Sequence, residues 1–463
     1  MLQTSNVVRI LGTAVVSATL FMSGCGSKSL LQEAKQVRID ALTLYSDITS
    51  STQQTASSTL GGWEWSGVNG FASSFGPLLT NAAYNVEMRK VTYQSTGADG
   101  QLHSMTGLLM LPASILPASL GGTTPAVPIL MYQHGTEMYR PYSPSQYLLH
   151  RDRAADYPEV MVATAIAATG YAVAMADYQG MGDNTDPQPY VHGASLAKQV
   201  IDMLRASRDI IGTGTTPCSW NNQLFLMGYS AGGYVTMATT RELQLNHAAE
   251  FTVTASAPLS GPHDLSGVMR GVMLSDTASK APYFLPFILT SYQYAYGGTT
   301  PFFSADFAMK PSFNTTIPPL FAGVSQANTI SEAMGMIFNP VNLIVPKSIL
   351  AQQFIDQLIS DTSTVVTLLR ENDSYRNWAP TMPMRMSHHR SDELVPYGNS
   401  QVAFNSFSTA GAKNHTPGGP GVELIEETVS LNISPVDPVK TVHYGAAFPE
   451  LSNGWQWLNS FKK

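Results

Sequence analysis

The stretch that decides the fold is QLFLMGYSAGG, residues 223–233. An apolar run typical of a buried strand leads into Gly228, and a helical pattern starts directly after Ser230. Gly-x-Ser-x-Gly alone is a weak signal, but between a strand and a helix the glycines let the backbones approach and the turn lifts the serine above the sheet. The first helical amide then faces a developing oxyanion. We predict Ser230 as nucleophile and the Ala231 amide as oxyanion donor; an ordinary serine in a glycine-rich turn is the alternative.

Short β-rich runs alternate with helical patterns on both sides of this turn. Strands that are apolar on both faces and separated by helices favour a mostly parallel sheet that is covered on both sides. The predicted fold class is therefore α/β, with a mostly parallel central sheet flanked by helices. The remaining predicted strands are 86–94, 105–111, 127–133, 171–176, 251–258 and 382–387, and the predicted helices are 158–169, 193–211 and 231–248.

The alternation stops between residues 265 and 376, which are rich in proline, methionine and aromatic residues and have a helical pattern broken by turns. Because a strand pattern resumes at Met382, we interpret this stretch as an inserted, mainly helical cap. The predicted core is then formed by residues 63–264 and 377–463.

Several short motifs together resemble the α/β-hydrolase superfamily, and within it the secretory lipases and bacterial relatives that carry a cap. The resemblance implies the α/β-hydrolase fold, and it implies a chain order of serine, acid and histidine in the active site. It also places a second oxyanion donor on the amide of Thr136, in the loop after strand 127–133; a plain turn at His134–Thr136 is the alternative. The motifs are YQHGT (132–136), ADYQGMGDN (176–184), GYSAGG (228–233), SGPHDLSGVM (260–269), NWAP (377–380) and DELVPY (392–397).

The general base must come from the histidines that follow Ser230 in the chain. We prefer His443, because it lies after the last expected strand, where a terminal helix begins. For the acid we prefer Asp392, just beyond strand 382–387, over Asp264, which stands before the cap. The competing histidines are His247, His263, His388, His389 and His415.

Other polar residues receive structural interpretations. Asp177 and Asp183 are expected to fix loop turns by binding backbone amides. His388 and His389 with Asp392 could be imagined as metal ligands, but no full set of ligands accompanies them, so we predict no metal site and no cofactor.

The predicted activity is hydrolysis of carboxylic esters through an acyl-enzyme. The aromatic stretch from Tyr283 to Tyr296 is expected to line an acyl pocket, although it could equally be the core of the cap. Two alternatives remain open. The first is a peptidase or amidase with the same catalytic residues, and the second is a non-catalytic surface lipoprotein that uses the fold for binding.

The N-terminus is typical of an exported lipoprotein. Residues 1–24 contain an apolar stretch from Ile10 to Met22, which is shorter than the roughly 20 residues that cross a membrane as a helix. Cys25 follows Ser23-Gly24, as at a bacterial lipidation site, so we expect cleavage there and attachment to the outer membrane or cell surface. A plain secretory signal is the alternative. Residues 25–62 are predicted to be a tether.

Composition limits the remaining possibilities. With 44% hydrophobic and only 12% charged residues, the 463-residue chain can bury a large core. Its 25 basic and 32 acidic residues give a net charge of −7, and no long basic run is present. Nucleic acid is therefore not an expected partner. Cys218 would be the remaining thiol after lipidation, and we expect it to be a buried filler.

Overall fold

The computed structural model describes residues 37–39, 74–75, 82–116, 121–412, 421–428, 431, 433–434, 437 and 440–463, with the backbone alone for 37–39 and 155. The predicted signal peptide, the lipidation site Cys25 and the candidate base His415 lie outside the described residues. So does the predicted tether, apart from residues 37–39.

The strands of the described chain form one large sheet and one small hairpin. They are β1 (Val37–Ile39), β2 (Tyr84–Thr96), β3 (Leu102–Ser114), β4 (Ala126–Gln133), β5 (Ala172–Ala176), β6 (Ser219–Tyr229), β7 (Val253–Leu259), β8 (Ile337–Phe338), β9 (Val341–Asn342), β10 (Met384–His389) and β11 (Val422–Glu427). The large sheet has the order β1-β2-β3-β5-β4-β6-β7-β10-β11, and β8 pairs with β9.

The large sheet is mostly parallel, as predicted. Its first three strand pairs, from β1 to β5, are antiparallel, and all the pairs from β5 to β11 are parallel. Gln133 at the end of β4 is paired with Gly228 of β6, and Tyr229 of β6 with Leu259 of β7. The carboxyl ends of the three central strands therefore meet at one edge, where binding sites of parallel sheets form.

Helices occur between the strands and after the last of them. They are α1 (Pro158–Ala167), α2 (Gly193–Gly212), α3 (Ala231–Asn246), α4 (Arg270–Leu274), α5 (Phe284–Tyr296), α6 (Ala305–Ala308), α7 (Ala327–Ala333), α8 (Gln352–Ile359), α9 (Thr364–Glu371), α10 (Gly398–Thr409) and α11 (Val442–Asn459).

The central strands are apolar on both faces because both faces are covered. Along β6, Leu224 and Leu226 belong to one apolar cluster, with residues of α2 and α3, and Phe225 and Met227 belong to another, with residues of α1 and α11. Side chains of a strand alternate between its two faces. The continuous apolar runs in the sequence are thus explained by burial on both sides.

Residues 265–376 follow β7 and precede β10, its parallel neighbour. They contain a π-helical turn (Leu265–Met269), helices α4–α9 and the β8–β9 hairpin. Tyr283, Phe287 and Leu289 of this segment share an apolar cluster with Ile129 and Met131 of β4. The segment, which we call the insertion because it stands between β7 and β10 in the chain, thus packs on the sheet.

Three details differ from the sequence-based expectations. β1 lies inside the range given to the tether, and it pairs with β2 as the edge strand of the large sheet. β10 extends through His389, so His388 and His389 belong to a strand that pairs with β11 rather than to a loop. β11 and α10 were not predicted from the sequence.

The expected terminal helix is present as α11, and it begins one residue before His443. Among the described residues, no helix is both long enough and apolar enough to span a membrane.

Candidate active site

The turn between β6 and α3 is held in a strained conformation by its neighbours. Ser230 has φ 60° and ψ −125°, a region that residues with a side chain rarely adopt. A Cβ at Gly232 would lie 2.0 Å from the Gln133 carbonyl oxygen, and one at Gly228 would lie 2.5 Å from the same atom. Glycine is therefore required at both positions, and the end of β4 is pressed against the serine turn.

Ser230 is positioned at the N-terminus of α3 with its hydroxyl free of capping bonds. Its amide donates to the Leu259 carbonyl at 3.0 Å, and its side chain makes no capping bond to the helix. The first bond of the helix runs from the Tyr234 amide to the Ser230 carbonyl, so the amide of Ala231 has no intrahelical acceptor.

The structure brings Ser230, His443 and Asp392 together from three distant parts of the chain. His443 Nε2 lies 2.7 Å from Ser230 Oγ, and His443 Nδ1 lies 2.5 Å from Asp392 Oδ2. The three residues are only 5%, 1% and 5% exposed, respectively. Serine, imidazole and carboxylate thus form one buried hydrogen-bonded chain, the arrangement that activates a serine hydroxyl.

Local structure explains how His443 reaches the serine. Thr441 caps α11, and its hydroxyl oxygen accepts a bond from the Tyr444 amide at 2.9 Å. The Tyr229 hydroxyl donates to the His443 carbonyl oxygen at 2.6 Å. The backbone of His443 is therefore held both by its own helix and by the residue before Ser230.

Asp392 is held as a carboxylate. Burial alone would raise its pKa, but the charge of His443 and the hydrogen bonds from His388 and His443 lower the pKa well below its usual value. The amides of Leu394 and Val395 both donate to Oδ1 at 2.9 Å. The acid is thus fixed by its own turn, with Oδ2 directed at the imidazole.

The competing acid occupies a different environment. Asp264 Oδ2 accepts from the Val268 amide at 2.8 Å, and Oδ1 accepts from the Tyr375 hydroxyl at 3.0 Å. These bonds connect the start of the insertion to the stretch that leads out of it. Asp264 therefore ties the two ends of the insertion together, and Asp392 is the carboxylate bonded to His443.

The other described histidines make different contacts. His263 is buried and bonds Ser374, and His247 lies near Arg205 and Glu242. His388 lies behind Asp392, with Nδ1 on the Ser400 hydroxyl at 2.8 Å and Nε2 on the Val395 carbonyl at 2.7 Å. Of the histidines in the described ranges, none besides His443 bonds Ser230.

The loop after β4 carries the predicted second oxyanion donor, Thr136. Glu159 of α1 accepts the Gly135 amide with both oxygens, at 2.9 and 3.1 Å. His134 Nδ1 lies 2.8 Å from the Gly135 carbonyl oxygen, and its ring stacks on Tyr178. The loop conformation is thus set by two side chains and by the close approach of Gly232 described above.

Two titratable groups of this loop region have shifted pKa values. Burial lowers the pKa of His134 to about 4, so the ring is neutral at pH 7. Its Nδ1 faces the Gly135 carbonyl oxygen at 2.8 Å, and its Nε2 faces the Asp177 carbonyl oxygen at 3.3 Å. Burial raises the pKa of Glu159 to about 7, against the opposing effect of its bonds from Gly135 and Tyr132.

The insertion reaches the site through aromatic residues. The Tyr283 hydroxyl is 2.8 Å from the hydroxyl of Tyr444, the residue after His443. Tyr190 bonds the Thr136 hydroxyl at 2.8 Å and stacks on Phe287 of α5, with ring centroids 4.2 Å apart. Aromatic side chains thus lie beside both the predicted base and the predicted oxyanion loop.

The structural interpretations of the other polar residues can be compared with their contacts. Asp177 accepts the Ser145 amide at 2.9 Å, so the expected bond to a backbone amide is confirmed. Asp183 instead pairs with the Lys90 ammonium at 2.6 Å, so its carboxylate binds a side chain rather than a turn amide. Cys218 is a buried free thiol whose pKa burial raises to about 12, which agrees with a filler.

No group of three or more His, Cys, Asp and Glu side chains in the described part of the chain is arranged to hold a metal ion. His388 and His389 follow each other in a strand, so their side chains point to opposite faces of the sheet. The alternative of a metal site at these residues therefore has no geometric support.

Sequence reasoning missed several residues that shape the site. Tyr444 could have been found from its position next to His443. Glu159 and Tyr190 stand in segments without a motif, and Tyr229 is the variable position of the serine motif. Their roles depend on contacts across the fold, which the sequence pattern does not contain.

A family model described as secretory lipase matches residues 154–417. This range contains Ser230 and Asp392 and ends before His443. No curated protein matches the chain at a significant level.

Solved structures share the fold over most of the chain. The rice cell wall degrading esterase LipA from Xanthomonas oryzae has 24% identity and a TM-score of 0.65, over 82% of this chain and 93% of that one. A candidate hydrolase from Legionella pneumophila has 21% identity and a TM-score of 0.68, over 93% and 98% of the two chains. Candida antarctica lipase A has 13% identity and a TM-score of 0.53, over 76% and 74%. At these identities the likeness establishes the α/β-hydrolase fold.

Proposed function

The chain belongs to the secretory lipase family, and from this premise we propose that it is a serine hydrolase that cleaves carboxylic esters through an acyl-enzyme. The single observation that carries the proposal is the hydrogen-bonded chain from Ser230 through His443 to Asp392. These three side chains supply a nucleophile, a base within reach of the nucleophile's proton, and a carboxylate that orients the base.

In the first half of the reaction, Ser230 Oγ attacks the acyl carbon of the ester while His443 Nε2 takes the hydroxyl proton. Asp392 accepts a hydrogen bond from the Nδ1–H of His443 and stabilises the imidazolium that forms. The backbone amides of Ala231 and Thr136 bind the oxyanion. His443 then returns the proton to the departing alcohol, which leaves the acyl group on Ser230.

In the second half, water replaces the alcohol. His443 takes a proton from the water, the hydroxide attacks the acyl-enzyme, and the same two amides bind the second oxyanion. Collapse releases the carboxylic acid while His443 returns its proton to Ser230 Oγ, which restores the hydroxyl. Apart from the ester and water, the groups that take part in this cycle are side chains and backbone amides of the protein.

The preferred substrates are apolar esters. Tyr283 bonds Tyr444, the residue after His443, and Tyr190 bonds Thr136, so both aromatic rings lie beside the proposed catalytic residues. Residues 265–376 act as the cap that carries Tyr283. Aromatic packing within the insertion, such as Phe287 on Phe321 at 5.0 Å, belongs to the core of the cap itself.

The protein acts outside the cytoplasm. The apolar stretch before Cys25 is a signal peptide, and lipidation of Cys25 anchors the mature chain to the outer membrane or cell surface. Replacement of Cys25 by serine is expected to abolish incorporation of labelled palmitate and to release the protein from membranes. Incorporation that persists in Cys25→Ser would contradict the anchor.

The activity is tested with a series of p-nitrophenyl esters of increasing acyl length and with matched amino-acyl anilides. We expect the ester series to be hydrolysed and the anilides to react at least about a hundredfold more slowly. Ser230→Ala should lose about 10⁶-fold in kcat and should not be labelled by a fluorophosphonate. Faster anilide turnover would favour a peptidase, and an inactive, unlabelled wild-type protein would favour a binding protein.

A further inference from the structure

We infer that Glu159 is a positioning residue for the oxyanion hole, because it holds the peptide that precedes the Thr136 amide. The inference rests on the proposed function, since it concerns the transition state of the same reaction. Neither the serine motif nor the family match points to this residue.

The contact geometry singles out Glu159 among the carboxylates near the loop. It projects from α1, which packs on the face of the sheet opposite to α2 and α3. Both of its oxygens accept the Gly135 amide, at 2.9 and 3.1 Å, and Oε1 also accepts the Tyr132 hydroxyl at 3.2 Å. Glu137, the neighbouring carboxylate, accepts only the amides of Met138 and Tyr139.

The planarity of the peptide group connects these contacts to Thr136. The Gly135 carbonyl and the Thr136 N–H belong to one peptide unit, in which they point in opposite directions. His134 Nδ1 binds that carbonyl at 2.8 Å, so the Thr136 N–H is directed away from the His134 ring. Glu159 accepts the Gly135 N–H, which belongs to the preceding peptide unit. Gly135 is therefore held through the peptide units on both of its sides.

The same loop is pressed against the serine turn. A Cβ at Gly232 would meet the carbonyl oxygens of Gln133 and His134 at 2.0 and 2.9 Å. The loop cannot move toward the serine, and Glu159 prevents it from moving away. An N–H donor that is already in place before the reaction stabilises the oxyanion without any reorganisation of the protein. This preorganisation is the main reason that such donors lower the activation barrier.

The test uses the full-length enzyme and three variants of this carboxylate. Glu159→Ala removes the acceptor, Glu159→Asp withdraws it by one methylene, and Glu159→Gln keeps an oxygen acceptor without charge. Tyr132→Phe is the matched control, because it removes the other bond of Glu159 and leaves the Gly135 contact. The readouts are kcat and KM on p-nitrophenyl butyrate, the Ki of a trifluoromethyl ketone, and the thermal midpoint.

We expect Glu159→Ala and Glu159→Asp to lower kcat about 10- to 100-fold and to leave KM within about twofold of wild type. The reason is that the Thr136 N–H binds the oxyanion only in the transition state. The Ki of the ketone, which forms a tetrahedral adduct, should rise by the same factor. Glu159→Gln should lose less activity than Glu159→Ala, because its one amide oxygen still accepts the Gly135 N–H. Tyr132→Phe should stay within about threefold of wild type. If the alanine variant does not fold, the comparison of Asp with Gln decides.

Two results would overturn the inference. One is a kcat for both Glu159→Ala and Glu159→Asp within twofold of wild type, and the other is a loss in Glu159→Gln as large as in Glu159→Ala. In either case the wild-type enzyme remains active, and only the role of Glu159 fails. A wild-type protein that neither hydrolyses esters nor reacts with a fluorophosphonate overturns the proposed function, and the inference with it.

Discussion

The floor and the roof of the site are built by different means. We call residues 133–136, 228–233, 392 and 441–444 the floor, and residues 283–296 the roof. In the floor, backbones touch: glycines admit neighbouring carbonyl oxygens, and buried groups bond at 2.5 to 2.7 Å. In the roof, aromatic rings pack on one another, and the Tyr283 hydroxyl reaches the floor at the Tyr444 hydroxyl.

This difference predicts how each region tolerates change. A backbone contact cannot adjust to an added side chain, because carbonyl and amide positions are fixed by the sheet. Aromatic contacts can repack when one ring changes size. We therefore expect the chemistry to depend on the floor and substrate preference to depend on the roof.

The largest effect is expected where the floor is most crowded. Gly232→Val places side-chain atoms against the Gln133 carbonyl oxygen, since even a Cβ there would be 2.0 Å away. We expect no measurable esterase activity and little soluble protein. The matched control is Gly271→Ala in α4, where a Cβ meets nothing within 4 Å. It should keep full activity and gain about 0.5–1 kcal/mol in unfolding free energy. Activity in Gly232→Val would contradict the rigid floor.

The next effect concerns the two candidate acids. Asp392→Asn should lower kcat by about 10³- to 10⁴-fold with little change in KM, because the amide cannot stabilise the imidazolium. Asp264→Asn should lower kcat by less than about tenfold, since Asp264 bonds Val268 and Tyr375 rather than His443. Steady-state kinetics on p-nitrophenyl butyrate measure both. A larger loss in Asp264→Asn would reverse the assignment.

A third test uses Glu450, a fully buried carboxyl behind the floor that bonds the Ser260 hydroxyl at 2.7 Å. Burial raises its pKa well above the usual value, and the Asp392 charge adds to this. A group whose pKa is raised by folding adds stability below its unfolded pKa, near 4.3, and loses it as the pH rises through the folded pKa.

Glu450→Gln should therefore match wild type near pH 4 and be more stable at pH 8, by about 1.4 kcal/mol for each unit by which folding raises the pKa. Thermal or urea unfolding at the two pH values measures this. Equal stability at pH 8, or a larger gain at pH 4, would contradict a neutral Glu450. Ser260→Ala, which removes the bonded hydroxyl, should lower stability at both pH values.

The smallest effect is expected in the roof. Tyr283→Phe removes the hydroxyl bond to Tyr444 and leaves the ring in place, so the cost should be about 1 kcal/mol. We expect kcat/KM for butyrate esters to change by less than about fivefold, while the ratio of long to short esters shifts. A loss comparable to that of Asp392→Asn would mean that the roof takes part in the chemistry.

Local sequence was sufficient where neighbouring residues decide the structure. Residues 223–233 form the predicted strand, turn and helix, since the turn depends on glycines within two residues of Ser230. The α/β class followed from apolar runs that alternate with helical patterns. β11 and α10 were missed: β11 is a partly exposed strand of six residues, and α10 has no clear apolar periodicity.

Only part of the site could be predicted from the sequence. Ser230 was proposed from its motif, whereas Thr136, Asp392 and His443 depended on chain order and on resemblance to a family. The sequence favoured Asp392 but left Asp264 as the alternative acid, because both follow a strand and precede a loop. The contacts made by Glu159, Tyr190 and Glu450 could not be predicted, since each joins segments that are far apart in the chain.

The sequence by itself determined the serine turn, the strands and helices around it, and the residue types available for catalysis, because these depend on short-range sterics and on the period of apolar residues. The tertiary structure alone decided which histidine bonds Ser230 and which carboxylate bonds that histidine. His443 is 213 residues from Ser230 in the chain and 2.7 Å away in space. Such proximity is set by the packing of α11 and β10 on the sheet, and no local pattern records it.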